Sequence, residues 1–171
     1  MTSTKTKPKQ ILSTIGYEAA DLADFIATLH AASVTRVIDV RELPISRKKG
    51  FAKNALSSAL SSAGIYYHHL KGLGDPKEGR EAARRNETTR FLAIFERHMQ
   101  TAFAQEHLRE AANFAVKGGA CLLCYERDHL ACHRALVARA IADTIPIQVR
   151  HLGVRVGLGK AADKENGVRP Y

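Results

Sequence analysis

Two periodicities take turns along this chain. Ile11, Leu12 and Ile15, with Thr14 among them and Gly16 behind, predict a strand over 9–17. Leu22, Phe25, Ile26 and Leu29 then recur at helical spacing, with Asp21 and Asp24 near the front, predicting a helix over 19–32. The β-branched run Arg36-Val-Ile-Asp-Val-Arg41 predicts a buried strand. A loop over 42–53 carries Pro44, Gly50 and several cations. A helix over 54–63, closed by Gly64, and a third strand over 65–70 follow. Gly72, Gly74, Pro76 and Gly79 mark 71–79 as a flexible connection. Helical patterns cover 88–99 and 106–116, and Gly118-Gly119 ends the second. A strand over 120–126, a helix over 131–143 and a last strand over 147–151 complete the series.

Strands that alternate with helices pair in parallel through right-handed crossovers, and helices cover both faces. The pattern therefore predicts one three-layer α/β domain with a mostly parallel sheet over 11–156. A basic, flexible tail is expected over 1–10 and a flexible, Gly- and Lys-rich tail over 157–171. There is no internal repeat and no second core.

Composition narrows the class. An apolar fraction of 45% excludes a wholly disordered chain. No apolar run approaches the length of a membrane span, and lysines near Met1 are not followed by the apolar segment of a secretory signal. Three cysteines do not make a disulfide framework, so a reducing, cytoplasmic setting is expected. The formal net charge of +9 favours polyanionic partners, nucleic acid or nucleotide first, and no membrane. Much of that excess lies in the two tails, where charge often only solubilises.

The carboxyl ends of parallel strands lie along one sheet edge, so their last residues meet there. That rule gathers Tyr17, Asp39, Arg41, Cys124 and Glu126, with Cys132, His133 and Arg134 opening the helix that follows. Strand alternation puts Asp39 and Arg41 on one side, and Cys124 and Glu126 likewise. Asp39 and Glu126 are candidate general acid and base, since neighbouring carboxylates have their pKa values driven apart. The plainer alternative pairs Asp39 with Arg41 and Glu126 with Arg134. Cys132 at a helix start beside Arg134 is a candidate low-pKa nucleophile. Ser46 and Arg47, with Gly50 admitting close backbone, make a candidate phosphate clamp together with Arg41, His133, Arg134 and the helix amino end; Tyr17 joins the binding set.

Two familiar thiol motifs are excluded: the sixth residue after Cys132 is Ala138, not the arginine of a phosphatase loop, and Cys121-x-x-Cys124 falls inside a strand. Cys124, Cys132, His133 and one of His68 or His69 have the donor types for zinc, but the spacing matches no common ligand pattern. The expectation is therefore no metal and no cofactor.

Taken together, Thr14-Ile-Gly-Tyr-Glu18, Asp39-Val-Arg41, Ser46-Arg47, Gly50-Phe51, Gly64-Ile65-x-Tyr67, Leu73-Gly74, Cys124-x-Glu126 and Cys132-His-Arg134 resemble the family called domain of unknown function 488. The resemblance runs from about Ile11 to Ile141 and implies a Rossmann-like cytosolic domain with a shared site at the sheet edge; it implies no reaction. From the residues, the leading expectation is an enzyme on a nucleotide or nucleic acid that hydrolyses an N-glycosidic bond, as in excision of a modified base. A non-catalytic nucleic-acid or nucleotide binding module is the second reading, and a thiol- or metal-based regulator using Cys124 and Cys132 the third.

Overall fold

Cys121, Leu122 and Leu123 are wholly buried, and they lie in the middle strand of the sheet, β4 (Ala120–Cys124). A strand apolar at every position must be covered on both faces, which sends it to the centre. The computed structural model describes residues 9–166 and places β1 (Gln10–Gly16) and β2 (Arg36–Asp39) on either side of β4. Outside them run β3 (Tyr66–His69) and β5 (Ile147–Leu152), giving the order β3-β2-β4-β1-β5 with every pairing parallel. The outer strands carry the polar letters, Tyr-Tyr-His-His in β3 and Gln148 and Arg150 in β5, as half-exposed edges should.

Alternation along the central strands divides the core. Ile15, Val37, Cys121 and Leu123 face α1 (Leu22–Ala31) and α2 (Lys53–Ser62), through Phe25, Leu29, Leu56 and Leu60. Leu12, Ile38, Leu122 and Cys124 face the opposite layer. That layer is α4 (Thr88–Met99), α5 (Ala102–Val116) and α6 (His133–Ala142), and it contributes Phe95, Met99, Val137 and Ile141. Each fully buried Leu or Ile adds roughly 1.5–3 kcal/mol of transfer free energy. The domain is thus the three-layer α/β fold that the alternation predicts.

Connectivity locates the crevice. The chain leaves β1 and β2 for the α1–α2 face, but leaves β4 for α6 on the other face. Beyond the carboxyl end of β4 the neighbouring connections diverge, and ligands of open α/β sheets bind at such a switch point. Two ladders stop earlier than the apolar runs predict, at Asp39 and Cys124, so Arg41 and Glu126 stand just outside the sheet.

Two expectations are corrected. The segment 71–79 is not a loose connection: Lys71–Leu73 forms a 3-10 turn, and α3 (Lys77–Arg84) starts behind Pro76. Its stretch KEGREAAR is strongly polar overall, with its charges gathered on one side and only the small Gly79 and Ala82 buried on the other. Nor is the chain loose from Gly157, because α7 (Leu158–Asn166) packs on α1. The Asp24 carboxylate accepts from the N–H groups of Gly157 and Gly159, each at 2.8 Å, and so caps α7 from a distant part of the chain. The predicted tail residues 1–8 and 167–171 lie outside the described residues. Among those described, no helix is long and apolar enough to cross a membrane.

Candidate active site

At the end of β2, Asp39 and Arg41 form a closed clasp. Arg41 Nε donates to Asp39 Oδ1 at 2.9 Å and Nη2 to Oδ2 at 2.6 Å. The Tyr67 hydroxyl donates to Oδ2 at 2.6 Å, and the Arg41 backbone N–H to Oδ1 at 3.1 Å. The remaining guanidinium nitrogen, Nη1, donates to the Phe51 carbonyl at 2.8 Å and the Tyr17 hydroxyl at 3.0 Å. Asp39 is 0% exposed and already accepts four hydrogen bonds, so the role of catalytic carboxylate expected for it is corrected. The plainer pairing with Arg41 is the one the fold uses. Arg41 in turn reaches the cleft wall with its donors engaged, and it holds the 42–51 loop through Phe51 rather than offering a free fork to phosphate.

The end of β4 is arranged differently. The Cys124 thiol donates to Glu126 Oε2 at 3.2 Å, as the shared-side expectation requires. His133, the first residue of α6, donates from Nε2 to the Val40 carbonyl at 2.8 Å and turns Nδ1 to within 3.7 Å of Cys124 Sγ. Cys132 caps α6: its sulfur accepts from the Arg134 N–H at 3.5 Å. Burial, and then the adjacent Cys124 thiol, push the Cys132 thiol up, the reverse of the activation expected from the helix dipole. A free low-pKa nucleophile at Cys132 is therefore corrected.

Arg134 is corrected as well. Its guanidinium is fully buried and turned away from the cleft. Nε donates to Thr14 Oγ1 at 3.2 Å, Nη1 to the Glu126 carbonyl, and Nη2 to the Arg127 carbonyl at 3.2 Å. It pins the β4–α6 loop, and it bonds the backbone of Glu126 rather than its carboxylate. Gly16, paired with Cys124 in the ladder, leaves room for that loop: a Cβ there would collide with the Glu126 carbonyl oxygen.

A cleft of about 530 Å³ opens over this edge. Tyr17, Arg41, Ser46, Arg47, Cys124, Glu126 and His133 line it, so these expected residues share one space. Asp39, Cys132 and Arg134 do not line it. Glu42, Asp75, Arg80, Arg84 and Tyr125 also line it, and the sequence reading missed them. Arg80 pairs with Glu42, while Arg47 and Arg84 are exposed and in no ion pair among the described residues. Arg80 and Arg84 are one helical turn apart on α3, behind Pro76 with Glu78 in the first turn. That start signal was legible, but the glycines around it outweighed it.

The two carboxylates in the cleft differ. Asp75 is 7% exposed, and its Oδ1 has no hydrogen-bond partner among the described residues. Burial pushes it up to about 6; His133 and Arg80 oppose that push, and Glu126 and Glu42 add to it. Burial also works to raise Glu126. Hydrogen bonds from its own backbone N–H and from the Cys132 and Cys124 thiols, with His133 nearby, outweigh that and hold it below the usual carboxylate range.

Comparison with known proteins now adds one finding: the model of the family described as Domain of unknown function DUF488 matches residues 21–141. The chain belongs to that family. Neither curated proteins nor solved structures give a match. The DUF488 match spans α1 into α6 and so includes every residue lining the cleft except Tyr17. Within this DUF488 domain Cys124, Cys132 and His133 bring their donor atoms within 4.8 Å of one another. The two histidines weighed as a further ligand are held elsewhere. His68 accepts from Arg36 Nε at 3.0 Å, and His69 sits 2.7 Å from the Arg41 carbonyl.

Proposed function

We propose that this DUF488 domain hydrolyses an N-glycosidic bond in a phosphate-bearing substrate, a nucleotide or a modified base in nucleic acid, with Glu126 and Asp75 as its working carboxylates. The observation that carries this reading is that both open into one cleft also lined by Arg47 and Arg84, which are in no ion pair among the described residues, and by the half-exposed Tyr125. Guanidinium forks at Arg47 and Arg84, with the Ser46 hydroxyl, suit phosphate oxygens. Tyr125 offers a face on which a base stacks. The Glu126 carboxylate stabilises the cationic sugar and takes a proton from the attacking water. Asp75 donates its proton to the departing base nitrogen. The C1′–N bond breaks, a C1′–O bond forms, and the two carboxyls exchange charge states, to be reset through solvent.

The test uses pooled nucleoside monophosphates and oligonucleotides carrying modified or damaged bases. Free base is read by chromatography and abasic sites by alkaline cleavage. The wild type is expected to release base. Glu126→Gln and Asp75→Asn are each expected to slow release by about 10²–10⁴-fold while retaining binding. Binding without release from any of these substrates overturns the reaction and leaves a non-catalytic binding module, for which Arg47, Arg84 and Tyr125 suffice.

A further inference from the structure

We propose that Cys124, Cys132 and His133 bind a divalent cation of the zinc class, as a three-ligand site whose fourth position opens to the cleft. The sulfurs and the imidazole lie within 4.8 Å of one another, and all three residues are buried. Cys124 Sγ and His133 Nδ1 are 3.7 Å apart. Tetrahedral zinc, with bonds of about 2.3 Å to sulfur and 2.0 Å to nitrogen, sets those two atoms about 3.5 Å apart. Closing the triad on a metal therefore asks for side-chain adjustment, not for movement of β4 or α6.

The surroundings of His133 point the same way. Its Nε2–H is committed to the Val40 carbonyl at 2.8 Å, which fixes the ring's orientation and turns Nδ1 toward sulfur. Metal-bound histidines are oriented by this kind of outer hydrogen bond. Two thiolates and an imidazole are soft donors that select zinc over magnesium or calcium. Two thiolates also neutralise a dication, so the buried complex carries no net charge.

The open position follows from which ligands border the cleft. Cys124 and His133 line it, whereas Cys132 does not. With two donors on the cleft wall and the third behind it, the remaining coordination position is assigned to the space beside Glu126. Three protein ligands and one exchangeable position mark zinc sites that bind water or substrate, as opposed to closed structural sites. On binding, two S–H bonds give way to two sulfur–metal bonds, His133 ligates through a proton-free Nδ1, and the protons these groups carried leave to solvent with no change of oxidation state. This assignment does not depend on the reaction proposed for the cleft.

The test takes the full chain, strips it with chelator, and adds Co²⁺ alone. One equivalent is expected to produce thiolate-to-cobalt charge transfer and the visible bands of a tetrahedral site, and Zn²⁺ is expected to bleach both. In weakly buffered solution that equivalent releases at least the two thiol protons, a readout that needs no variant. Cys132→Ser and His133→Ala lose the bands, while Cys121→Ser, on the opposite face of β4, keeps them. Absence of these bands in the wild type, absence of proton release, or unchanged bands in folded Cys132→Ser or His133→Ala overturns the site. Glu126→Gln is expected to keep the bands even where base release is lost, so failure of the metal site and failure of the hydrolytic reading are read separately.

Discussion

The carboxyl ends of β2 and β4 carry similar letters, an acid and an arginine each, and the fold uses them in opposite ways. At β2 the carboxylate and guanidinium satisfy each other, with Tyr17, Tyr67 and the Phe51 carbonyl completing the set. At β4 the arginine is drawn beneath the edge to hold backbone carbonyls, and the acid is left with thiols for company and a cleft in front. The difference lies in which partner is at hand. Arg41, two residues after Asp39, reaches it along the same side of the chain. Arg134 starts a helix on the far face and meets the Glu126 carbonyl first. A buried pair that satisfies itself is structural; an acid beside unpaired polar groups is poised for chemistry.

The strongest way to break this comparison is to cut the β2 clasp. Arg41→Ala leaves the Asp39 carboxylate buried without its partner, and is expected to cost about 3–5 kcal/mol in chemical denaturation. A loss near zero would mean that the clasp is not what holds this edge. Next comes the join between β1 and the β4 loop. Gly16→Ala sets a Cβ against the Glu126 carbonyl and is expected to cost about 1–3 kcal/mol through overpacking. Unchanged stability would show a loop free to move and weaken the case that Glu126 is held in place.

A third, smaller effect uses Asp24 as a control far from the cleft. Hydrogen bonds from Gly157 and Gly159, with Lys160 adding to them against burial, hold its carboxyl below the usual range. Its folded value is depressed, so its contribution is complete above the ordinary Asp value of about 3.9 and is lost as pH falls through the lowered one. Hydrogen exchange is expected to find the amides of α7 protected at neutral pH and released in acid. Asp24→Asn is expected to speed their exchange at neutral pH and to flatten that acid dependence, with the cleft unaffected. The smallest effect on folding is at the rim. Arg84→Ala is expected to change stability by no more than about 0.5 kcal/mol. It should weaken binding of an anionic ligand and make the salt dependence of affinity shallower by about one unit of slope. An unchanged salt slope would remove Arg84 from the binding surface.

The central fold was legible because its signals are local. Cys121-Leu-Leu has nowhere to go but the sheet centre, and the helical spacing of Phe25 and Leu29 names the face of α1 that β1 and β4 cover. What was not legible depends on contacts between distant segments. The ordering of α7 rests on a carboxylate in α1, and α3 is two-sided only through its charges, burying no more than the small Gly79 and Ala82. The site divides the same way. The rule that strand ends meet gathers Tyr17, Arg41, Cys124, Glu126 and His133, and all five line the one cleft. It could not say that Asp39 and Arg134 would be occupied, because side-chain alternation gives a face and not a partner. Asp75, which comes from a loop and not a strand end, falls outside that rule altogether.

One comparison tests the account most directly: base release per folded molecule in Glu126→Gln and Asp39→Asn, each measured with its melting temperature. The account predicts that Glu126→Gln melts close to wild type and releases base about 10²–10⁴-fold more slowly. It predicts that Asp39→Asn melts lower, while the molecules that remain folded turn over near the wild-type rate. Base release that survives Glu126→Gln and vanishes in folded Asp39→Asn would contradict it, and would move the chemistry to the end of β2.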